Sequence, residues 1–572
     1  MSRLDWIILS CTLTGIILYG LYKSRTSKNL EGYFLSNRSM PWWLVLLSVM
    51  GTQASAVTFL SAPGQAFTDG MRFVQYYLGL PLAMVVLCIT FVPLFNKLKI
   101  FTAYEFLEQR FDLKTRSFTS FLFLLSRGLS TGISIYAPSI ILSSLLGWDI
   151  FWTNIVMGGL LIIYTVTGGA KAVAYTQQLQ LIIIFVGMFV AGYMIIHLLP
   201  AGVGLVDTLK VSGANGKMNV ITTGFTGKGF DWKDKYNIIS GVIGGFFLAL
   251  SYFGTDQSQV GRYLTAKDNK ESRIGLLMNG LVKVPMQFLI LLLGAMLFGF
   301  YQFKPQPIFF NSGQQQKLLN SVKKDSAVLL ENQYTLVNNE KQAILQHWNA
   351  SDSTSSRQLR QLNQQSGALR SNYKSLINSP QVKGDDNDTN YVFLRFVVDY
   401  LPQGLVGLLI AIIFLAAWGS IAAALNSLAS CSVVDFHFRF LKKKHDVDNI
   451  QQCEMEYKVS KYYTLGWGIF CVIVAEFATG MGSLIEAVNV LGSLFYGVIL
   501  GIFLVAFYFK KVKANAVFFA AVIGEALVIA LFFLDKYGVI GLGFLWLNVA
   551  GALIVVLLGV LFQSFARNKV LA

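Results

Sequence analysis

The segment Ser48–Phe67, SVMGTQASAVTFLSAPGQAF, carries glycine, threonine, glutamine and serine in the middle of a run long enough to cross a bilayer. Lipid offers no hydrogen bonds to loose backbone, so a broken polar stretch at membrane depth is stable only where it lines a protein-enclosed cavity. Carbonyl oxygens freed at such a break suit a hard cation such as Na⁺. The segment therefore predicts a broken membrane helix whose carbonyls, from Gly51 to Ala54, bind a cation.

A second apolar run, Phe246–Arg262, is interrupted in the same way by Ser251, Gly254, Thr255 and Asp256. When the leading span is set aside, these two runs are the first spans of two successive sets of five. Matched interruptions in two halves of a chain indicate an inverted-repeat transporter and mark its binding site.

The run 415–436, LAAWGSIAAALNSLASCSVVDF, offers small residues for close helix approach and the hydroxyl of Ser420. Such a helix is often a simple packing surface. Because two broken runs accompany it, we favour ion ligation by Ser420.

Arg127 lies about ten residues into the predicted span 118–146. An arginine at mid-depth costs about 2.5 kcal/mol or more, so it should face the helix bundle and have a partner. One interpretation is a counter-ion for a carboxylate on the substrate. The alternative is a structural pair with Asp or Glu, or a side chain that reaches to the inner face.

Other candidates for contact with a solute lie near the breaks, and tyrosine is also common where helices meet the membrane surface. They are the polar residues Gln53, Ser55, Thr58 and Asn489 and the aromatic residues Tyr76, Tyr77, Tyr136 and Tyr252. The sequence contains neither a Walker loop nor a metal or nucleophile cluster. We therefore expect a carrier rather than an enzyme, with no catalytic residue, no cofactor and no ATP-driven step.

The composition indicates an integral membrane protein, since 54% of the 572 residues are hydrophobic and 13% are charged, against about 25% charged in soluble domains. Runs of about 20 apolar residues, the length that crosses a bilayer, recur along the whole chain. They are residues 5–22, 42–62, 74–96, 118–146, 150–167, 177–199, 238–258, 276–301, 392–435, 461–479, 484–508, 514–534 and 541–562.

The net charge of +16 comes from basic residues that fall in alternate connections between the runs, such as Lys97, Lys99, Arg262, Lys267 and Lys510. Cytoplasmic loops carry this excess, so the charge predicts topology and not a nucleic-acid partner. We expect a multi-pass protein of the plasma or inner cell membrane, with its N-terminus outside and its C-terminus in the cytoplasm.

A polar insert, 302–390, follows the eighth run on the outer side. Its residues Leu359, Leu362, Leu369, Tyr373 and Leu376 have helical three-four spacing, and Val322, Leu329, Leu336 and Ala343 recur every seven residues, with a turn-forming stretch at 349–356 between the two patterns. We predict a helical hairpin; the alternative is a flexible polar loop.

These patterns divide the chain into seven segments. Residues 1–41 hold the leading helix and a cytoplasmic loop, 42–199 the first five-helix repeat, 200–236 an outer loop, 237–301 the first two helices of the second repeat, 302–390 the insert, 391–508 the rest of that repeat, and 509–572 two further helices.

Several motifs together resemble the sodium/solute symporter family across nearly the whole chain outside the insert. They are WW-x4-S-x6-S-x3-F at 42–59, T-x-x-E-F-L-x-x-R-F at 102–111, Gly168-Gly169 with T-x-x-x-Q at 176–180, DQ-x-x-V-x-R at 256–262, and AA-x-x-S with LNS at 416–427. STGISIYAP at 130–138 is similar to the branch that carries iodide, monocarboxylates and vitamins, more than to the sugar branch.

The resemblance implies an all-α membrane fold with two inverted five-helix repeats, the LeuT-like amino-acid transporter fold, with about thirteen transmembrane helices plus the insert. It implies a sodium site formed by backbone oxygens of Gly51, Ala54 and Ala416 and the hydroxyl of Ser420. The family usually has two adjacent hydroxyls where this chain has Gly419-Ser420. Many members have Asp on the inner ion route where this chain has Gln177.

In the sugar branch, the sugar-contacting positions correspond to Val57, Thr58, Tyr77 and Ala249, which are poor replacements for hydrogen bonding to a hexose. The leading hypothesis is sodium-coupled import of a small organic solute, anionic because of Arg127, by alternating access. The alternatives are proton coupling on the same fold, a sugar or sialic acid symporter, and a membrane sensor that retains the fold.

Overall fold

The structure is a computed structural model that describes residues 1–24, 30–346, 353–441, 450–478 and 481–571. It is helical throughout its membrane-crossing part, because helices satisfy every backbone hydrogen bond within one segment. Its first helices are α1 (Arg3–Ser24), α2 (Leu30–Leu35), α3 (Trp42–Gln53), α4 (Ala56–Asp69), α5 (Leu80–Val86), α6 (Val92–Leu98), α7 (Glu105–Arg110), α8 (Leu113–Leu146), α9 (Ile150–His197) and α10 (Leu205–Ala214).

A short hairpin separates these helices from the second part of the chain. It consists of two antiparallel strands of two residues each, β1 (Phe225–Thr226) and β2 (Gly229–Phe230). There follow α11 (Gly245–Thr255), α12 (Gln257–Tyr263), α13 (Asn269–Phe303), α14 (Ser312–Leu319), α15 (Lys324–Gln346), α16 (Ser353–Ile377), α17 (Val392–Tyr400), α18 (Leu405–Cys431), α19 (Ile450–Glu476), α20 (Leu484–Tyr508), α21 (Ala514–Lys536) and α22 (Leu545–Leu571).

Turns of other helix types join some of these helices into longer elements. The 3₁₀ segments are Ser36–Arg38, Met71–Tyr77 and Thr389–Tyr391, and the π segments are Leu87–Phe91, Ser240–Gly244 and Ser432–Leu441.

The predicted apolar runs fall in helices, but they are not all separate straight spans. In the described part of the chain, eight helices are long and apolar enough to cross a membrane, and α3 with α4 forms one more as a bent pair. The stretches Ile150–Val166 and Ser240–Thr255 are shorter apolar helices. The runs 150–167 and 177–199 both lie in the single helix α9, and the long run 392–435 divides into α17 and α18.

Helix α18 lies at the centre of the molecule. Its most apolar window is 89% buried, against 33% for α21 and 39% for α22, so the last two helices lie at the periphery. The helices packed around it include α1, α3, α4, α8, α9, α12 and α19.

The insert contains the predicted helical hairpin, formed by α15 and α16 packed against each other; part of the turn between them, residues 347–352, lies outside the described residues. The three-four pattern on α16 is correct, since Leu359 and Tyr373 are fully buried. The seven-residue pattern is wrong as a core pattern, because Val322, just before α15, and Leu329 and Leu336 on α15 are exposed.

The buried face of α15 instead consists of Ala327, Tyr334, Val337, Lys341 and Leu345. Together with the partly buried Leu330, these positions repeat every three or four residues, as a globular helix face does. One apolar position in every seven residues forms too narrow a stripe to bury a helix. The face that packs is therefore the one with the three-four spacing.

Candidate functional site

The first break separates α3 from α4, whose axes differ by 61°. Ser55 has an extended backbone, and its N–H donates to the Gln53 carbonyl at 3.0 Å instead of to Gly51 four residues back. The N–H of Thr58 donates to the Ser55 carbonyl at 2.9 Å instead of to Ala54. The carbonyls of Gly51 and Ala54, two of the predicted sodium ligands, are therefore released from the helical pattern.

The other two predicted sodium ligands, Ala416 and Ser420, are buried on α18, which packs against α3 and α4. The Ser420 hydroxyl donates to the carbonyls of Ala416 (3.1 Å) and Ala417 (3.0 Å). A hydroxyl that donates within its own helix keeps its oxygen lone pairs for a cation. Three carbonyls, a hydroxyl and small neighbours are a donor set that fits Na⁺.

Gln177 of α9 joins the two halves of this candidate sodium site. Its fully buried amide accepts from the Ser48 hydroxyl at 3.0 Å and donates to the Thr52 hydroxyl at 3.2 Å and the Gly419 carbonyl at 3.0 Å. A Cβ at Gly51 would approach the Gln177 Cβ to 2.9 Å, so glycine lets α3 come this close. The predicted inner-route residue thus ties α3 to α18.

The second break lies at Asp256, which has an extended backbone between α11 and α12. Its carboxylate accepts from the backbone N–H (2.8 Å) and hydroxyl (2.6 Å) of Ser258, capping α12, and from the Tyr496 hydroxyl at 2.9 Å. Only 1% of Asp256 is exposed. An extended residue with a capping carboxylate is what ends one helix and starts the next.

Arg127 points at this break. Its guanidinium lies 3.9 Å from the Asp256 carboxylate and 6.0 Å from the centre of the Tyr252 ring, and Gln259 donates to the Tyr252 hydroxyl at 2.7 Å. The structure therefore gives Arg127 the acidic partner of the alternative interpretation. Arg127 and Tyr252, two of the sequence candidates, lie together here.

Tyr76, Tyr77 and Asn489 form another group. The two tyrosine rings are 4.5 Å apart, and the Tyr76 hydroxyl donates to the Asn489 side-chain carbonyl at 3.4 Å. Tyr136 interacts electrostatically with Tyr391, at the end of the insert.

Gln53, Ser55 and Thr58 lie at the first break itself. The Thr58 hydroxyl donates to the Gln53 carbonyl at 3.4 Å, and the side chain of Gln53 is partly accessible. Ser55 makes no side-chain cap to α4, so its hydroxyl stays available to a solute.

Sequence reasoning missed a polar stripe on α13. Asn279, Lys283 and Gln287 are all fully buried, and each has polar side-chain atoms that bond to nothing in the described part of the chain. The ammonium of Lys283 lies 5.8 Å from the centre of the Tyr77 ring. The signal was available, since three polar residues at intervals of four inside the apolar run 276–301 share one helix face.

Comparison with known proteins identifies the family and the fold. A sequence model described as the Sodium:solute symporter family matches residues 33–339 and 373–524. The "Sodium/sialic acid symporter SiaT" of Proteus mirabilis is 26% identical over 563 residues, 97% of this chain and 94% of that protein. The human "Sodium/iodide cotransporter" is 31% identical over 271 residues, 46% of this chain and 40% of that protein.

The "Sodium-dependent multivitamin transporter" of Oryctolagus cuniculus is 24% identical over 537 residues, 89% of this chain and 67% of that protein. A solved structure of a Na⁺-coupled sialic acid symporter in a substrate-bound outward-open state superposes with a TM-score of 0.74 at 24% identity, covering 99% of this chain and 98% of that one. The fold is therefore the LeuT-like one that the resemblance implied. With broken helices, an all-helical membrane fold and a family match over most of its length, the chain belongs to the sodium:solute symporter family.

Proposed function

We propose that this symporter imports a small organic anion together with Na⁺ by alternating access. The observation that carries the proposal is Lys283, a buried cation beside Tyr77 with no acidic partner in the part of the chain that the structure describes. A buried charge left without a counter-charge costs several kcal/mol. An anionic substrate supplies that counter-charge, so the site should bind an anion in preference to a neutral solute.

In this proposal Arg127 and Lys283 have different roles, and the role of Arg127 differs from the one in the sequence hypothesis. Arg127 faces Asp256, so that pair is close to neutral before any substrate binds. Lys283 faces no acid among the described residues, so an anionic ligand would stabilise its ammonium form. Arg127 is proposed to shape the second break and to contact substrate only if it leaves Asp256. A lysine is a compact point charge with three donors, which suits a carboxylate or another small anion.

The side chains near Lys283 indicate which polar groups the solute carries in addition to its negative charge. Gln287, one turn further along α13, has both a donor and an acceptor without partners among the described residues, and Asn279 has a free acceptor. A site built to hydrogen-bond polar groups rejects analogues that lack them. We infer that the anion also carries hydroxyl or amide groups, which disfavours a bare inorganic ion.

An acidic sugar of the sialic acid class is the second, more specific candidate. Its support is the sialic acid symporter that matches 97% of this chain. Such a solute joins one carboxylate to many hydroxyls, as the polar stripe on α13 requires. A neutral hexose is disfavoured, because it would leave Lys283 uncompensated.

Sodium is proposed to bind where α3 and α4 separate, using the carbonyls of Gly51, Ala54 and Ala416 and the Ser420 hydroxyl. By holding α18 against the break, the ion favours the outward-facing form that binds substrate, and linkage then raises the affinity for both. The membrane potential contributes about 2.3 kcal/mol per charge per 100 mV. Proton coupling remains the rival, since this site holds one hydroxyl where relatives have two.

The proposed topology follows the basic residues of the alternate loops: N-terminus and insert outside, C-terminus in the cytoplasm, in the plasma or inner cell membrane. Transport requires no covalent change of the solute, and no enzymatic activity is proposed.

The test uses the purified chain in proteoliposomes with an inward Na⁺ gradient. A thermal-shift screen of acidic sugars, monocarboxylates, vitamins, amino acids and neutral sugars, with and without Na⁺, selects the substrate. Lys283→Gln should then raise the substrate KM at least about tenfold, Lys283→Arg should raise it less, and the exposed-loop control Lys511→Gln should leave it unchanged. Stabilisation by neutral sugars alone, or uptake driven by a pH gradient when K⁺ replaces Na⁺, would contradict the proposal.

A further inference from the structure

An open cavity of about 510 Å³ lies between α19 and the π segment that follows α18. We call it the side groove. Its volume is within the range of about 300–1,000 Å³ that small ligands occupy. None of the residues proposed to bind sodium or the solute lines it. The lining residues are Ser432, Tyr462, Tyr463, Gly466, Trp467 and Phe470.

Glycine at position 466 leaves the side groove open. A Cβ at Gly466 would meet nothing within 4 Å. A Cβ at Gly468, two residues further along α19, would instead come within 2.4 Å of Ile162 of α9. Close helix packing therefore explains Gly468, but packing within the described part of the chain gives no reason for a glycine at 466.

Aromatic side chains form the floor of the side groove. The indole N–H of Trp467 donates to the Ser432 hydroxyl at 2.8 Å, and the rings of Trp467 and Phe470 are 5.3 Å apart. The Tyr463 hydroxyl lies 3.3 Å from Nδ1 of His437. The polar atoms of Trp467 and Tyr463 are thus used within the protein, and the rings leave a mainly apolar surface to the groove.

The side groove lies on a face of α19 that suits contact with lipid. Beside it, Leu465, Ile469 and Ile473 are exposed, all within the apolar run 461–479. Atoms that line an empty gap lose their dispersion contacts, and apolar walls offer a water molecule too few hydrogen-bond partners. In a bilayer, an acyl chain is the apolar group at hand to fill this groove.

Two lysines lie at one end of the side groove, where the apolar run begins. Lys458 is exposed one turn before Tyr462, on the same helix face, and Lys461 directly precedes Tyr462. Within the part of the chain that the structure describes, neither lysine forms an ion pair, whereas the nearby cation Arg439 is bound to Glu108. Basic residues at a membrane surface attract anionic headgroups.

We propose that the side groove binds one anionic phospholipid. An acyl chain lies along Tyr462 and Phe470, and the phosphate lies at Lys458 and Lys461. In the proposed topology this end of α19 meets the cytoplasmic leaflet. Because Ser432 begins the π segment that continues α18, the bound lipid lies against the end of the central helix.

Photolabelling of the purified full chain in detergent tests the site. The probe is a phosphatidylglycerol with a diazirine in one acyl chain, and mass spectrometry locates the label. We expect label at 462–470. Unlabelled phosphatidylglycerol should displace the probe at least about tenfold better than phosphatidylcholine with the same chains, as two basic residues at a membrane surface predict. Neither Na⁺ nor solute is present, so the result does not depend on transport.

Filling the side groove should exclude the acyl chain. Gly466→Leu places a side chain in the open space, and we expect the label at 462–470 to be lost. Gly159→Leu is the matched control, because a Cβ at Gly159 of α9 also meets nothing within 4 Å. Its labelling at 462–470 should equal that of the wild type.

Removing the two lysine charges tests the headgroup separately. In the double variant Lys458→Gln with Lys461→Gln, both lipids should displace the probe equally well. The control pair Lys510→Gln with Lys511→Gln, on exposed positions of another connection, should keep the preference for phosphatidylglycerol. The lysine variant leaves the helix packing untouched, so it tests the site even if Gly466→Leu lowers stability.

Three results would overturn the proposal. They are label at 462–470 that persists in Gly466→Leu, equal displacement by both lipids in the wild type, and disulfide-linked dimers that Gly466→Cys forms in membranes but the wild type does not. The last result would show that a second copy of the chain fills the side groove.

Discussion

The side-chain amide of Gln177 in α9 donates a 3.0 Å hydrogen bond to the backbone carbonyl of Gly419 in α18. The same nitrogen donates to the Thr52 hydroxyl at 3.2 Å, so it lies between two oxygens that belong to different helices. The neutral N–H₂ group of Gln177 therefore bridges the oxygens of Thr52 and Gly419 at the first break, in the way that a bound cation bridges oxygen ligands.

Gln177→Glu replaces that donor with a carboxylate oxygen that faces the oxygens of Gly419 and Thr52. A cation nearby stabilises an ionised carboxylate in a buried site, so we expect the apparent Na⁺ affinity to rise about tenfold, worth about 1.4 kcal/mol. Gln177→Ala should lower it, because α3 and α18 lose their tie. The measurement is the Na⁺ concentration for half-maximal uptake, and a wild-type value in Gln177→Glu would contradict the expectation.

Ser420→Ala removes the only side-chain ligand proposed for Na⁺. One lost oxygen ligand should raise the Na⁺ concentration for half-maximal uptake by about tenfold, again about 1.4 kcal/mol. Ser427→Ala is the matched control, because its hydroxyl makes a similar bond to the Ala423 carbonyl (2.8 Å) on the same helix. Equal sodium dependence in the two variants would remove Ser420 from the site.

Breaking the pair between Arg127 and Asp256 separates structural from substrate roles. Arg127→Gln leaves a buried carboxylate without its cation, which costs about 3–5 kcal/mol when no other group moves in. We expect a clear loss of thermal stability in detergent, and the double variant Arg127→Gln with Asp256→Asn should recover most of it. If the double variant regains stability but substrate affinity stays low, Arg127 also contacts the substrate; full recovery of both assigns it to the pair alone.

The insert should become more stable as the pH rises. Burial lowers the pKa of Lys341 from 10.5 to about 7, and the charge of Arg370 acts in the same direction. Between these two values the unfolded chain binds a proton that the folded hairpin does not, so the free energy of unfolding increases with pH over that window. At and below pH 7 this contribution is lost.

Thermal unfolding of the purified chain between pH 7 and pH 9.5 measures that slope. Lys341→Met, which keeps the buried stem, should flatten the pH dependence, whereas Lys317→Met, on an exposed position of α14, should not. Identical slopes in Lys341→Met and the wild type would show that Lys341 titrates in the hairpin as it does in the unfolded chain.

Much of the architecture follows from the sequence alone. A helix needs a run of about 20 apolar residues to cross a bilayer, and such runs can be recognised in the sequence. The breaks are legible for the same reason: residues 51–55 and Asp256 interrupt apolar runs, and the backbone physics that ends a helix involves only neighbours in the chain. The carbonyls of Gly51 and Ala54 are those that the first break releases.

Tertiary structure alone decided which groups became partners. The Asp256 carboxylate, which faces Arg127, is 129 positions away along the chain. The Lys283 ammonium lies beside the ring of Tyr77, which belongs to a different helical segment. Asn390 caps the helix that begins at Leu484. It also decided which stripe of α15 is buried, against a regular seven-residue pattern. Local spacing determines where a backbone bends and which residues share a face, but the pairing of charges depends on which faces the packed helices bring together.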